Sequence, residues 1–128
     1  MKTILVIEDQ APLRSNIVGI LEEEGYNAIG FERGFTGMMW ALKHTPDLII
    51  CDIMMSDMNG YSVLNELRNY PATAKVPFIF LTAKADKSSI REGMELGADE
   101  YLTKPFRPPQ LLKAIAYRLE QQVVADSN

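Results

Sequence analysis

The sequence predicts an α/β fold, a parallel sheet covered by helices on both faces, from two patterns that alternate along the chain. Residues 4–7 and 48–51 are short, continuous apolar runs, which are typical of strands buried on both faces. Between such runs lie segments whose apolar residues recur at helical spacing. Because strand–helix–strand crossovers are right-handed, five repeats of this unit predict one doubly wound sheet.

Length and composition are those of a single globular domain. The chain has 128 residues, 47% of them hydrophobic and 23% charged, close to average usage. A net charge of −4 without a clustered basic face predicts no direct nucleic-acid binding. The sequence shows neither a secretory signal nor an apolar stretch that could span a membrane. The single cysteine, Cys51, lies in an apolar run, where a reduced, inert thiol fits the cytoplasm.

The first half of the chain contains two strand–helix units. The strand at residues 4–7 precedes a helix whose first turn suits Pro12 and which stops near Gly25. A short strand is predicted at residues 26–31, followed by a helix that reaches about His44. This histidine is expected to be exposed at the helix end.

The second half continues the alternation. Strands are predicted at residues 47–52, 78–82 and 99–102, and the last helix has an apolar stripe from 111 to 119. After the central strand, Asn59 and Gly60 are expected to allow a left-handed backbone at the end of a loop. We expect the domain to cover residues 1–121, with 122–128 as a frayed tail or the start of a linker.

Polar side chains that can take part in a reaction or bind a metal lie at the ends of the predicted strands. They are Glu8, Asp9, Asp52, Thr82 and Lys104. Since the carboxyl ends of parallel strands meet at one edge of the sheet, these side chains are expected to converge. The sequence therefore predicts a site made of three acids, a hydroxyl and an amine.

That combination indicates phosphoryl chemistry. Three converging carboxylates repel one another unless a cation compensates, and oxygen-only ligands suit Mg²⁺. Lys104 can neutralise a carboxylate or an incoming phosphoryl group, and Thr82 can donate a hydrogen bond to it. A carboxylate nucleophile beside these groups is what formation of an aspartyl phosphate requires.

Over residues 2–120 the chain resembles the receiver domain of two-component response regulators. The resemblance depends on four motifs in the expected order, namely Glu8-Asp9, Asp52-Ile53-Met54-Met55 with Gly60 downstream, Thr82-Ala83, and Lys104-Pro105-Phe106. It implies a flavodoxin-like, CheY-like (βα)5 fold whose five-stranded parallel sheet has the order 2-1-3-4-5. It also implies a signalling switch that catalyses only its own phosphorylation and dephosphorylation, not a conventional enzyme.

By resemblance, Asp52 accepts a phosphoryl group from a sensor histidine kinase or a histidine phosphotransfer protein. The implied magnesium ligands are Glu8 through water, Asp9, Asp52, and Met54 through its backbone carbonyl. Thr82 and Lys104 would contact the phosphoryl group. Met54 and Lys84, each two residues beyond a site residue, are expected to tune its lifetime, and bulky Met54 should slow the attacking water.

The resemblance also implies how the signal is passed on. Thr82 would move toward the phosphoryl group and Tyr101 would follow, remodelling the face of the fourth helix, fifth strand and last helix. Plain half-buried packing is the other interpretation of Tyr101. The Lys104–Pro105 bond is expected to be cis. The output would be a downstream effector protein or domain, and the face allows an activation-linked homodimer.

Three positions depart from the family pattern. Glu8 stands in place of the commoner aspartate, which still suits a water-mediated contact with the metal. Ser56 replaces a frequent proline and should loosen the loop after Asp52. Residues 107–109, Arg-Pro-Pro, replace an acidic start of the last helix, which is expected to lack a side-chain N-cap.

Other functions on the same fold stay open at this point. A phosphohydrolase with an aspartyl nucleophile would carry a second acid two residues after Asp52, where this chain has Met54. A flavin-binding module would need a phosphate loop after the first strand, where Glu8 and Asp9 repel phosphate. The domain could act alone or within a longer DNA-binding or hybrid-kinase chain.

Overall fold

A computed structural model describes residues 1–83 and 87–126. Strands and helices alternate as β1 (Thr3–Ile7), α1 (Ala11–Glu23), β2 (Asn27–Phe31), α2 (Gly34–His44), β3 (Leu48–Asp52), α3 (Gly60–Arg68), β4 (Phe78–Thr82), α4 (Lys87–Glu95), β5 (Glu100–Thr103) and α5 (Pro108–Asp126). All strand pairs are parallel, and the sheet order is β2-β1-β3-β4-β5. The predicted fold class and strand order are confirmed.

Side chains of successive strand residues point to opposite faces of the sheet and so build two cores. On one face, alternate residues of β1, β3 and β4 pack with residues of α2 and α3. On the other, the intervening residues pack with α1 and α5. Residues of β3 and β4 are buried without exception. The continuous apolar runs therefore mark central strands, as the sequence predicted.

The start of α3 differs from the expectation for its Asn-Gly pair. Asn59 has an extended backbone and caps the helix, its side chain accepting from the N–H of Ser62. Gly60 is the first helical residue and is absent from the left-handed glycines of the described chain. An added Cβ on Gly60 would lie 2.5 Å from the backbone oxygen of Asp52. A close backbone approach, rather than a left-handed turn, therefore explains this glycine.

The last helix is longer than predicted, and its first turn has a hydrogen bond that was not predicted. It continues to Asp126, through positions expected to be a frayed tail. At its start, the N–H of Arg107 donates to the Gln110 side chain at 2.9 Å, one half of a capping box. A side chain three residues into the helix thus stabilises its first turn. In the described part of the chain, none of the helices is long and apolar enough to cross a membrane.

Candidate functional site

The strand register aligns the predicted site residues at one edge of the sheet. Asp52 is the last residue of β3 and pairs with Leu81, directly before Thr82. Thr82 pairs with Thr103, directly before Lys104. Because parallel strands end together, the residues after them share the carboxyl edge of the sheet.

Three carboxylates converge at this edge. Glu8, Asp9 and Asp52 each offer an oxygen, and these oxygens lie within 4.8 Å of one another. Glu8 is 0% exposed and Asp52 5% exposed, whereas Asp9 is half-buried. Oxygen donors of this kind are those that Mg²⁺ prefers. The three residues therefore fit a magnesium ion by the chemistry of their donors.

Lys104 links two of these acids. Its ammonium nitrogen lies 2.8 Å from Oε1 of Glu8 and 3.0 Å from Oδ2 of Asp52. Burial by itself would lower the pKa of Lys104, but its hydrogen bonds to both carboxylates outweigh burial and raise it. The lysine is thus held as a cation between two acids.

Glu8 is held from several directions. Its Oε2 accepts from the N–H of Gln10 at 3.1 Å, and its backbone oxygen accepts from Nη1 of Arg14 at 2.8 Å. Burial raises the pKa of Glu8, while its hydrogen bonds to Lys104 and Gln10 oppose that rise. The side chain that departs from the family pattern is therefore fixed before any ligand arrives.

The loop after Asp52 contains Met54, whose side chain is 58% exposed. The N–H of Met54 donates a long hydrogen bond of 3.4 Å to Oδ1 of Asp52. The backbone of Met54 therefore contacts the acceptor carboxylate, and its side chain is exposed to solvent. Lys84, the other residue predicted to tune phosphoryl lifetime, lies outside the described residues.

Thr82 and Tyr101 lie where the sequence placed them. Thr82 is 0% exposed, and its backbone oxygen accepts from the N–H of Lys104 at 2.8 Å. The ring of Tyr101 packs on Phe80 with centroids 5.4 Å apart, two residues before Thr82. The Lys104–Pro105 peptide bond is cis.

Sequence reasoning missed a second tyrosine beside Tyr101. The hydroxyl groups of Tyr61 and Tyr101 are 3.4 Å apart, and the Tyr61 ring packs edge-on against Phe80 at 5.4 Å. An added Cβ on Gly93 of α4 would collide with the Tyr101 hydroxyl. The hydroxyl is therefore enclosed between α3 and α4. The residues are 40 positions apart, and no local pattern could have paired them.

Cys51 and His44 have the positions that the sequence predicted for residues without a role in the site. Cys51 is fully buried, and burial raises the pKa of its thiol well above the ordinary value. Cys51 is therefore a core residue, as predicted, and a raised thiol pKa disfavours the reactive thiolate. His44 is exposed at the end of α2 and stacks on Trp40 at 4.6 Å. Neither residue belongs to the site.

Residues 4–116 match the family model of the response regulator receiver domain. The chain belongs to this family, whose members are components of two-component regulatory systems.

Individual proteins give the same picture. The chain is 38% identical over 120 residues to the phosphate regulon transcriptional regulatory protein PhoB of Pseudomonas aeruginosa, covering 91% of this chain and 52% of that protein. It thus spans about half the length of this curated relative.

Solved structures agree with the fold. Chemotaxis protein CheY4 of Vibrio cholerae superposes with a TM-score of 0.88 at 28% identity, covering 91% of this chain and 98% of that one. The receiver domain of a sensor histidine kinase from Pseudomonas aeruginosa has a TM-score of 0.87 at 27% identity, covering 93% and 98%. In that structure a magnesium ion is coordinated in the active site cleft.

Proposed function

We propose that this domain is a phosphorylation-dependent switch whose acceptor is Asp52. The observation that carries the proposal is the contact of Lys104 with Asp52 at 3.0 Å, beside two further acids at the same edge. A lone acid at a strand end would need no such cation. An acid that must receive an anionic phosphoryl group needs positive charge at the point of attack.

The reaction is a transfer of one phosphoryl group. A carboxylate oxygen of Asp52 bonds to phosphorus while the phosphorus–nitrogen bond of a phosphohistidine breaks, and the released imidazole takes up a proton. The product is a mixed anhydride, which water cleaves to the carboxylate and inorganic phosphate. Positioning and charge neutralisation supply most of the catalysis in such reactions.

The residues at the site divide this work. Glu8, Asp9, Asp52 and the backbone carbonyl of Met54 would hold Mg²⁺, which when bound neutralises charge on the phosphoryl oxygens. Lys104 would exchange its contact with Asp52 for one with a phosphoryl oxygen. Thr82, at the end of the neighbouring strand, would donate its hydroxyl to another. The same edge then binds the product that it forms.

The donor protein would dock beside the site. A cleft of about 470 Å³ lies between α1 and the segment after β5, lined by apolar Leu13, Ile20 and Phe106 and extending to Lys104. A helix that presents a phosphohistidine at this cleft would place phosphorus near Asp52. We propose a sensor histidine kinase or a histidine phosphotransfer protein as this partner, acting in the cytoplasm.

The face formed by α4, β5 and α5 would transmit the signal to the effector. Tyr101 on β5 packs on Phe80, two residues before Thr82, and its hydroxyl lies beside Gly93 of α4. A movement of Thr82 would therefore change the packing of Tyr101 against α4. The relatives are about twice as long as this chain, which favours an effector domain as the receiver of the signal. An activation-linked homodimer through this face is a second form of output.

Phosphorylation by a small phosphodonor tests the proposal. With Mg²⁺ and acetyl phosphate, intact mass spectrometry should show one added phosphoryl group, and none after chelation of the metal. Asp52→Asn should abolish the adduct. Asp47→Asn, which alters the acid at the other end of the same strand, should leave it. Equal labelling of Asp52→Asn would refute the acceptor.

A further inference from the structure

A second carboxylate of the acceptor loop reaches a different helix. Oδ1 of Asp57 accepts from the N–H of Gly34 at 3.0 Å, and Oδ2 accepts from the N–H of Phe35 at 2.9 Å. These residues open α2 and precede Asp57 by more than 20 positions. One side chain therefore joins the loop after Asp52 to the first turn of α2.

The first turn of α2 requires such a partner. Its N-cap residue, Arg33, has an extended backbone and makes no side-chain capping bond, so the first N–H groups depend on an acceptor from elsewhere. Burial raises the pKa of Asp57, but the N–H groups of Phe35 and Gly34, with those of Met58 and Asp57 itself, outweigh burial and leave the pKa lowered. The carboxylate stays charged at the positive end of the helix dipole.

Hydrogen bonds hold the loop between Ile53 and Gly60 at several places, and Asp57 provides those that join its middle to α2. The N–H of Gly60 closes the base of the loop on the oxygen of Ile53 at 2.8 Å. Between these residues, Ser56 leaves the backbone without the restraint of a proline. Only a short stretch separates Asp57 from Met54. The bond to α2 therefore limits the positions that Met54 can take.

Packing makes this attachment tight. An added Cβ on Gly34 would lie 2.7 Å from Cγ of Met58 and 3.2 Å from Cε of Met55. Met55 and Met58, on either side of Asp57 in the loop, thus pack closely on Gly34. The N–H of Gly34 is also a donor to the Asp57 carboxylate. The loop and the first turn of α2 form one packed unit.

We infer that Asp57 is a positioning residue of the magnesium site, because it anchors to α2 the loop that carries Met54, whose carbonyl is a proposed magnesium ligand. This inference rests on the proposed function. Coupling between two sites is reciprocal, so magnesium binding should also strengthen the bonds from Gly34 and Phe35 to Asp57. The N-terminus of α2 would then respond to occupation of the acceptor site.

Magnesium titration of the ¹⁵N-labelled chain, followed by amide shifts, tests whether Asp57 supports magnesium binding. Asp57→Ala should weaken magnesium affinity by about tenfold, the low end for a residue that supports a metal ligand. Asp57→Asn, which keeps one acceptor oxygen, should lose less. Asp47→Ala is the matched control, because Oδ2 of Asp47 also accepts a backbone N–H, from Thr3 at 2.7 Å, at the opposite edge. Glu32→Ala removes an exposed acid near α2 without removing the cap.

Hydrogen exchange of the unaltered protein tests whether magnesium binding strengthens the bonds from Gly34 and Phe35 to Asp57. The amides of Gly34 and Phe35 should exchange more slowly when Mg²⁺ is bound, while the amide of Thr3 should not change. Equal affinities in Asp57→Ala and the parent, an equal loss in Asp47→Ala or Glu32→Ala, or unchanged exchange at Gly34 and Phe35 would each overturn the inference. These results would leave phosphorylation of Asp52 intact, whereas a parent that binds no magnesium would overturn both.

Discussion

The ammonium nitrogen of Lys104 lies 2.8 Å from Oε1 of Glu8, a residue 96 positions earlier in the chain. The contact joins the loop after β5 to the loop after β1, across the carboxyl edge of the sheet. The side chain of Glu8 is 0% exposed and that of Lys104 18% exposed. Lys104 therefore compensates the charge of buried Glu8 as well as that of the acceptor Asp52. Removal of this cation should lower the stability of the fold.

Lys104→Met should destabilise the metal-free protein by about 3 kcal/mol, because it leaves a buried acid without its cation. Magnesium should restore part of this loss by supplying positive charge to the same carboxylates. Urea unfolding with and without Mg²⁺ measures both effects. Lys43→Met, at an exposed lysine of α2, should change little. A Lys104 variant as stable as the parent would show that the acids do not depend on this lysine.

The capping bonds of Asp57 should make stability depend on pH. Together with the N–H groups of Met58 and Asp57 itself, these bonds leave the pKa of Asp57 below its ordinary value of 3.8 in the folded chain. A lowered pKa stabilises the fold above the unfolded value, and this stabilisation is lost as pH falls through the folded value.

The stability difference between the parent and Asp57→Asn should therefore be largest near neutral pH and shrink below about pH 4. Urea unfolding at a series of pH values measures this difference. Glu32→Gln, which removes a neighbouring exposed carboxylate, separates the cap from a general loss of negative charge. A difference that stays constant down to pH 3 would contradict a charged cap.

Gly60→Ala should destabilise the fold by about 2 kcal/mol, because the new methyl group collides with backbone that cannot yield easily. The colliding atom is the backbone oxygen of Asp52, 2.5 Å away, so phosphoryl acceptance should also slow. In contrast, Gly19→Ala has nothing within 4 Å and should stabilise α1 by about 0.5–1 kcal/mol. Thermal unfolding of both variants gives the comparison. Similar behaviour of the two would contradict the close approach at Gly60.

Met54→Asn should shorten the lifetime of the phosphorylated protein by about fivefold, equivalent to about 1 kcal/mol of barrier. A smaller polar side chain opens the approach to the acceptor and can orient the attacking water. Decay of the phosphoryl adduct, followed by intact mass after removal of the donor, measures the rate. Met39→Asn is the control, since Met39 is 48% exposed on α2. Unchanged decay in Met54→Asn would show that Met54 does not slow the water.

The sheet and its acidic edge were predictable because their signals are local. Continuous apolar runs identify β3 and β4, and strand ends in a parallel sheet must share an edge. Convergence of Asp52 with Glu8 and Asp9 follows from these two facts. At the start of the last helix, the bond from the N–H of Arg107 to the Gln110 side chain was not predicted, because the prediction concerned only an N-cap side chain.

The sequence by itself determined that this chain is a doubly wound α/β domain with a carboxylate at the tip of its central strand and an amine after its last strand. Hydrophobic periodicity and strand direction suffice for that conclusion. Only the tertiary structure decided which atoms meet: Lys104 with Glu8, Tyr61 with Tyr101, and Asp57 with the first turn of α2. Such contacts depend on how helices pack on the sheet. A hydrogen bond between residues far apart in the chain leaves no pattern in either segment alone.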